Sequence, residues 1–175
     1  EYGIEALKAV WHRGAVDADG KTGDGAGIHV QIPKNFFIEK IEVTGHKYDE
    51  SEICVGMIFL PRNDYAAQES CKTIIESELT KNNFNIYGWR QVPVNPKVLG
   101  DKAFQTMPEI IQVLFKSNDS NLINKALERK IYETRRKIEN KAFSLSLNDF
   151  YICSLSSKSI IYKGMFLAEG ISDFY

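Results

Sequence analysis

A loop rich in glycine and aspartate is the segment of this sequence whose residues could most readily do chemistry. Residues 14–27 contain five glycines, with Asp17, Asp19 and Asp24 placed between them. Glycine permits positive φ angles and a close approach of the backbone, while carboxylates supply charge and hydrogen-bond acceptors. A loop of this composition serves either as a structural turn or as the wall of an active site, and composition alone leaves both interpretations open.

Three ligand-binding motifs differ from this loop at positions that their chemistry requires. A phosphate-binding loop around residues 20–22 needs glycine at Ala15, and a dinucleotide fingerprint needs glycine at Val30. A calcium-binding loop that begins at Asp17 needs a bidentate glutamate at Ile28. The loop therefore predicts neither a nucleotide site nor a calcium site.

Helices and strands are expected in mixed order around the loop. The periodicity of apolar residues predicts helices over 4–11 and 35–42, a helix capped by Asn63 or Asp64, and a long helix over 122–143. Strands are predicted over 28–32, 53–60, 84–92, 109–115, 150–155 and 159–163, the last two forming a hairpin about residues 156–158, while the proline-containing stretch 93–108 is expected to be a surface loop. This order favours the α+β class, with residues 1–175 as a single domain.

Bulk composition argues against several classes of partner and site. Lys plus Arg number 22 and Asp plus Glu 23, so the net charge of -1 gives no whole-chain attraction to nucleic acid or an anionic membrane. No apolar run approaches the roughly 20 residues that span a bilayer, and a cytoplasmic location is expected. Cys54, Cys71 and Cys153 lie far apart without nearby histidines, which predicts neither a disulfide framework nor a metal site.

Several motifs resemble, in order along the chain, those of one enzyme family. They are HRGA at 12–15, ADGKTGDGAGI at 18–28, QIP at 31–33, VGMIFLP at 55–61, GWRQVPVN at 88–95 and DFYICSLSS at 149–157. Together they resemble the N-terminal class II glutamine amidotransferase domain of the glutamate synthase large subunit. The resemblance implies an N-terminal-nucleophile hydrolase fold, an αββα sandwich of stacked antiparallel sheets, expected here to be incomplete at both ends.

The resemblance also implies a reaction and its partners. In this family a cysteine at the mature N-terminus attacks the glutamine amide, and an oxyanion hole stabilises the tetrahedral intermediate. The ammonia passes to a second site, where it is added to 2-oxoglutarate with flavin mononucleotide (FMN) and an iron–sulfur cluster. Those cofactors are expected in other parts of the enzyme and none in this chain, whose implied partners are glutamine and the remainder of the synthase.

This sequence differs from the family pattern at its start, because Glu1 is not cysteine. The nucleophile is expected upstream and the oxyanion segment downstream of Tyr175, so this chain alone is expected to be inactive. Four residues are expected near the active site of the complete domain: Arg13, Gly14, Asp24 and Gly25. The guanidinium of Arg13 would favour a thiolate, although Arg13 could instead pair with a carboxylate such as Asp17, and Asp24 could simply hold a turn.

A binding role is the alternative to a glutaminase role. The chain could be a catalytically silent remnant that acts as an interaction protein, and the basic residues of helix 122–143 could bind RNA or an acidic partner. Acidic residues alternate with these bases, so a solvated helix surface is expected and no nucleic-acid partner. Self-association through unpaired sheet edges is expected as well.

Overall fold

The computed structural model describes residues 2–10, 14–47 and 53–175, in which helices and strands follow one another without a regular alternation. The helices are α1 (Tyr2–Ala9), α2 (Lys34–Val43), α3 (Tyr65–Lys81), α4 (Asp101–Gln105), α5 (Asn124–Ser144) and α6 (Ile171–Phe174). The strands are β1 (Ala26–Gln31), β2 (Cys54–Leu60), β3 (Phe84–Gln91), β4 (Glu109–Ser117), β5 (Tyr151–Ser156) and β6 (Ser159–Gly164). The predicted elements are therefore confirmed in type and approximate position.

The chain divides into two compact units. One contains Glu1–Val30, Val92–Met107 and Ile161–Tyr175, and the other contains Gln31–Gln91 and Pro108–Ile160. The single domain expected from chain length stays a prediction. The glycine-rich loop belongs to the first unit, together with α4 and the C-terminal segment.

The second unit is built on a four-stranded antiparallel sheet with the order β3-β4-β2-β5. Strand β2 lies inside the sheet because its sequence, CVGMIFL, is apolar on both faces. Strands β3 and β5 form the two edges of this sheet. The self-association expected from unpaired edges stays a prediction.

Helices α3 and α5 cover one face of this sheet with the apolar stripes that the sequence predicts. Asp64 caps α3 by accepting a hydrogen bond from the Ala67 N–H at 2.9 Å, and Ile75 is fully buried. On α5, Ile131 and Ile138 are fully buried. Both helices join one apolar cluster with side chains of the sheet, so burial of these stripes is the main force that holds the second unit together.

The predicted hairpin of β5 and β6 is wrong. Strand β5 pairs with β2, whereas β6 pairs with β1 in a separate two-stranded sheet. Glu128 of α5 holds the turn between them, since its Oε1 accepts hydrogen bonds from the Ser157 N–H at 2.7 Å and from Ser157 Oγ at 2.6 Å. Its Oε2 accepts from Ser156 Oγ at 2.9 Å. The short turn thus connects two sheets, which strand periodicity does not reveal.

The loop expected over 93–108 is the other correction. This segment contains a 3₁₀ turn at Pro96–Val98 and the short helix α4, and the Asn95 N–H donates a hydrogen bond to the Phe174 carbonyl at 2.8 Å.

None of the described helices is both long enough and apolar enough to cross a membrane. The predicted α+β class is confirmed, with two antiparallel sheets among the described residues.

Candidate functional site

The glycine-rich loop, residues 14–27, folds back on itself as a tight hairpin. Val16 and Gly23 form an antiparallel bridge, and the Asp17 N–H donates a hydrogen bond to the Thr22 carbonyl at 2.8 Å. These contacts define the stem of the hairpin. The loop is therefore a fixed structure along its stem, which a high glycine content alone would not indicate.

The tip and the base of this hairpin each depend on local backbone geometry. At the tip, Gly20 has a φ of 70°, and its N–H donates to the Asp17 carbonyl at 2.9 Å. At the base, the Asp24 N–H donates to the Ala15 carbonyl at 3.2 Å, and Gly25 has a φ of 123°. Glycine tolerates both φ angles, which side chains with a Cβ rarely adopt.

The Asp19 carboxylate closes the tip of the loop. Its Oδ1 accepts hydrogen bonds from the Lys21 N–H at 2.9 Å and the Thr22 N–H at 2.7 Å, and its Oδ2 accepts from Thr22 Oγ at 2.5 Å. These bonds, led by that of the Thr22 hydroxyl, lower the pKa of Asp19 to about 2 because they stabilise the charged form. Asp19 is therefore an ionised acceptor at neutral pH.

Thr22 connects this carboxylate to helix α4. The residue is only 2% exposed, and its Oγ accepts a hydrogen bond from the Ala103 N–H at 3.4 Å. A Cβ at Gly100 would lie 2.2 Å from Asp19 Oδ2 and 2.3 Å from Thr22 Oγ. A Cβ on the residue before α4 would therefore displace the Asp19 and Thr22 side chains from these positions.

An ion pair between Asp17 and Lys102 joins the same two elements at the surface. Lys102 Nζ lies 2.8 Å from Asp17 Oδ2. This hydrogen bond lowers the pKa of Asp17 and raises the pKa of Lys102. Because both side chains are exposed and screened by solvent, the pair contributes little to stability compared with the buried Thr22 contact.

The opposite side of the hairpin packs on the C-terminal segment. A Cβ at Gly23 would lie 2.7 Å from the Phe166 carbonyl oxygen, and Phe166 is itself buried with its ring 5.3 Å from that of Phe174. A Cβ at Gly27 would lie 3.0 Å from the Tyr162 carbonyl oxygen. The glycines of the loop thus permit close contact with neighbouring backbone as well as turns.

Three of the four predicted site residues lie at one end of the hairpin. The Asp24 N–H donates to the carbonyl of Ala15, which directly follows Gly14, and Gly25 directly follows Asp24. Gly14, Asp24 and Gly25 are all exposed. Arg13 lies outside the described residues. The catalytic relevance of these four positions stays a prediction.

Sequence reasoning missed the contacts that hold the loop to α4. The spacing of Asp19 and Thr22 is typical of a carboxylate that accepts from the residues just after it, so this part could have been found. The contact of Asp17 with Lys102 joins residues 85 positions apart, and Gly100 is similarly remote. No local pattern indicates such pairs.

None of the cysteines has the surroundings of a nucleophile. Cys54, Cys71 and Cys153 are all buried thiols, and burial raises the pKa of Cys71 to about 11. A reactive cysteine needs an accessible thiolate at neutral pH. Within ranges 2–10, 14–47 and 53–175, no group of three His, Cys, Asp or Glu residues has the arrangement of a metal site.

Comparison with known proteins gives one consistent result. The family described as glutamine amidotransferases class II matches residues 1–175. The large chain of an NADPH glutamate synthase from Azospirillum brasilense is 54% identical over 100% of this chain and 12% of its own length. Ferredoxin-dependent glutamate synthases from Pyropia yezoensis and Spinacia oleracea are 42% and 36% identical, each over 98% of this chain and 11% of their own length. The chain therefore spans only about an eighth or less of these curated relatives.

Proposed function

The chain belongs to the class II glutamine amidotransferases, and we propose that it is part of the glutaminase domain of a glutamate synthase. In this proposal the complete domain hydrolyses glutamine to glutamate and ammonia. The ammonia is then used by the rest of the enzyme to form a second glutamate from 2-oxoglutarate. Glutamine and the remainder of the synthase are accordingly its substrate and partner, and a cytoplasmic location is part of the proposal.

The observation that carries this proposal is the match of the whole chain to the family together with its high identity to a glutamate synthase. The match includes the glycine-rich loop, whose structure agrees with the role of an active-site wall. Its stem is held by backbone hydrogen bonds, and its base presents Gly14, Asp24 and Gly25 at the surface. An exposed, preorganised backbone is what a site needs to position a substrate or a nucleophile.

Arg13 is the residue of this chain proposed to influence the chemistry. It directly precedes Gly14 in the sequence. A guanidinium close to a cysteine stabilises the thiolate, which is the form that attacks an amide carbonyl. The nucleophile itself is proposed to be a residue other than Cys54, Cys71 and Cys153, since these thiols are buried.

The cofactors of the parent enzyme are assigned to other parts of it. An iron–sulfur cluster requires several cysteine thiolates close together, whereas Cys54, Cys71 and Cys153 belong to β2, α3 and β5 and lie in no metal-binding group among the described residues. This chain therefore does not fit the cluster. FMN and the cluster are proposed to act at the site that consumes ammonia, and no cofactor is assigned to this chain.

The proposal is tested in the full-length synthase that carries this segment. Release of glutamate and ammonia from glutamine is measured for the wild type and for Arg13→Ala, with Arg62→Ala as a control that also removes an arginine. The wild type should hydrolyse glutamine, and Arg13→Ala should lose roughly tenfold or more in kcat/KM while the control retains its activity. A wild type without glutaminase activity would contradict the function, and an unimpaired Arg13→Ala would contradict the role of Arg13.

A further inference from the structure

We propose that Asp19 is a positioning residue of the glutaminase site, which acts by locking the glycine-rich loop onto helix α4 through Thr22 and Gly100. The inference rests on the proposed function, because it concerns the same site. Asp19 does not need to contact glutamine in this role. It sets the place of the hairpin base, whose first described residue, Gly14, directly follows Arg13 in the sequence.

The contacts around Asp19 hold the tip of the loop against α4. Its carboxylate accepts hydrogen bonds from the Lys21 N–H, the Thr22 N–H and the Thr22 hydroxyl, at 2.9, 2.7 and 2.5 Å. Thr22 is buried and receives the Ala103 N–H. A Cβ at Gly100 would lie 2.2 Å from Asp19 Oδ2. The loop tip therefore packs on α4 through Thr22, and the Asp19 carboxylate holds Thr22 in this contact.

The stem of the hairpin transmits this position to the base. The Thr22 carbonyl accepts a hydrogen bond from the Asp17 N–H. The next residue pair toward the base, Val16 and Gly23, forms the antiparallel bridge. The next contact joins the Asp24 N–H to the carbonyl of Ala15, two residues after Arg13. Because these bonds are backbone pairs in a fixed register, displacement of the tip shifts the base as well.

The opposite side of the stem limits the directions in which it can move. Gly23 packs against the backbone at Phe166, where even a Cβ would approach the carbonyl oxygen to 2.7 Å. Phe166 is buried, so this surface cannot shift without disturbing packed side chains. The hairpin thus lies between α4 and the C-terminal segment, and the Asp19 contacts decide its position on the α4 side.

The first experiment compares Asp19→Ala with Asp19→Asn in the full-length synthase. Alanine removes every acceptor, whereas asparagine keeps Oδ1 as the acceptor for the Lys21 and Thr22 N–H groups and places an NH2 group, which donates to Thr22 Oγ, in the position of Oδ2. Asp19→Ala should lower kcat for glutamine hydrolysis by roughly 10- to 100-fold with KM changed less than about threefold, because misplacement by about an ångström has such effects. Asp19→Asn should restore most of the loss, and Asp173→Ala, an exposed acid in the same unit, should match the wild type.

The second experiment asks whether Asp19 acts through Arg13. In a double-mutant cycle, Asp19→Ala should cause little further loss of kcat in an Arg13→Ala background, since the group that it positions is already gone. Losses that multiply would overturn the inference, as would an Asp19→Ala variant with wild-type kcat. An unimpaired Arg13→Ala with an active wild type would also overturn it, whereas an inactive wild type would show that the proposed function itself had failed.

A variant that retains the fold provides the remaining check. If Asp19→Ala does not fold, Thr22→Val replaces it, because valine has nearly the volume of threonine but cannot donate to Asp19 or accept from Ala103. Thr22→Val should lower kcat in the same direction, with an unchanged far-ultraviolet circular dichroism spectrum. A folded Thr22→Val variant with wild-type kcat would contradict the proposed positioning role of Asp19.

Discussion

At the scale of single residues, the glycines of the loop have different physical reasons for being glycine. Gly20 and Gly25 have positive φ angles, so their requirement lies in the backbone conformation. Gly23 and Gly100 instead lack space for a Cβ, against the Phe166 backbone and against Asp19 with Thr22. The second requirement depends on neighbours that are distant in sequence, and it can be tested separately.

Gly23→Ala should destabilise the chain because the new Cβ would lie 2.7 Å from a backbone oxygen that cannot move as a side chain can. Overpacking of this kind costs about 1–3 kcal/mol. Urea unfolding measures the loss. The matched control is Gly170→Ala, where φ is -73° and the nearest atom would be 3.4 Å away. Equal stability of the two variants would show that the loop does not pack on the C-terminal segment as described.

At the scale of elements, α5 illustrates how one helix combines a buried stripe with an ionic surface. Ile131 and Ile138 are fully buried, whereas Arg129 pairs with Glu133 at 3.0 Å on the outer side. Glu139 also pairs with Arg135, at 2.8 Å. The bases that suggested a binding surface thus share the helix with acids that pair with them, and the absence of a nucleic-acid partner stays a prediction.

Ile131→Ala should destabilise the second unit by about 2–5 kcal/mol, because it removes a fully buried side chain and leaves a cavity in the core. The neighbouring Tyr132→Ala is the control, since Tyr132 is 61% exposed and its removal should change stability by no more than about 0.5 kcal/mol. Thermal and urea unfolding followed by circular dichroism give both values. A larger effect at Tyr132 than at Ile131 would contradict the assigned helix orientation.

At the scale of the whole molecule, this chain spans only 11–12% of the length of its glutamate synthase relatives. Activity is therefore a property proposed for the larger protein. Its three thiols are buried in β2, α3 and β5, where none can attack glutamine without local unfolding. The glycine-rich loop can form one wall of a site but supplies no nucleophile.

The 175-residue chain alone should release no ammonia from glutamine above background, while the full-length synthase should do so under the same conditions. Ammonia and glutamate are both measured. Thiol titration provides the control for folding: the three cysteines should react with a thiol reagent much more slowly in the native chain than in urea. Hydrolysis by the short chain with its thiols still protected would contradict the assignment of the nucleophile to a residue outside this chain.

The local structure and the family follow from the amino-acid sequence. A continuous apolar run was sufficient for β2, and apolar periodicity was sufficient for α3 and α5, because each pattern depends on residues that are close in sequence; the Asp64 cap followed from local chemistry. The ordered motifs were sufficient for the amidotransferase family, which the match over residues 1–175 confirms. The sequence also predicts Gly14, Asp24 and Gly25 near the active site of the complete domain, and this stays a prediction.

The contacts between distant segments become visible only in the folded chain. Strands β5 and β6 are separated by two residues and yet belong to different sheets, and Glu128 holds the turn between them from another element. The packing of Asp19 and Thr22 against the start of α4 likewise depends on Gly100, which is remote in sequence. The physical reason is the same in both cases: local propensity depends on neighbouring residues, whereas strand partners and steric fit depend on distant segments that meet only after the chain has folded.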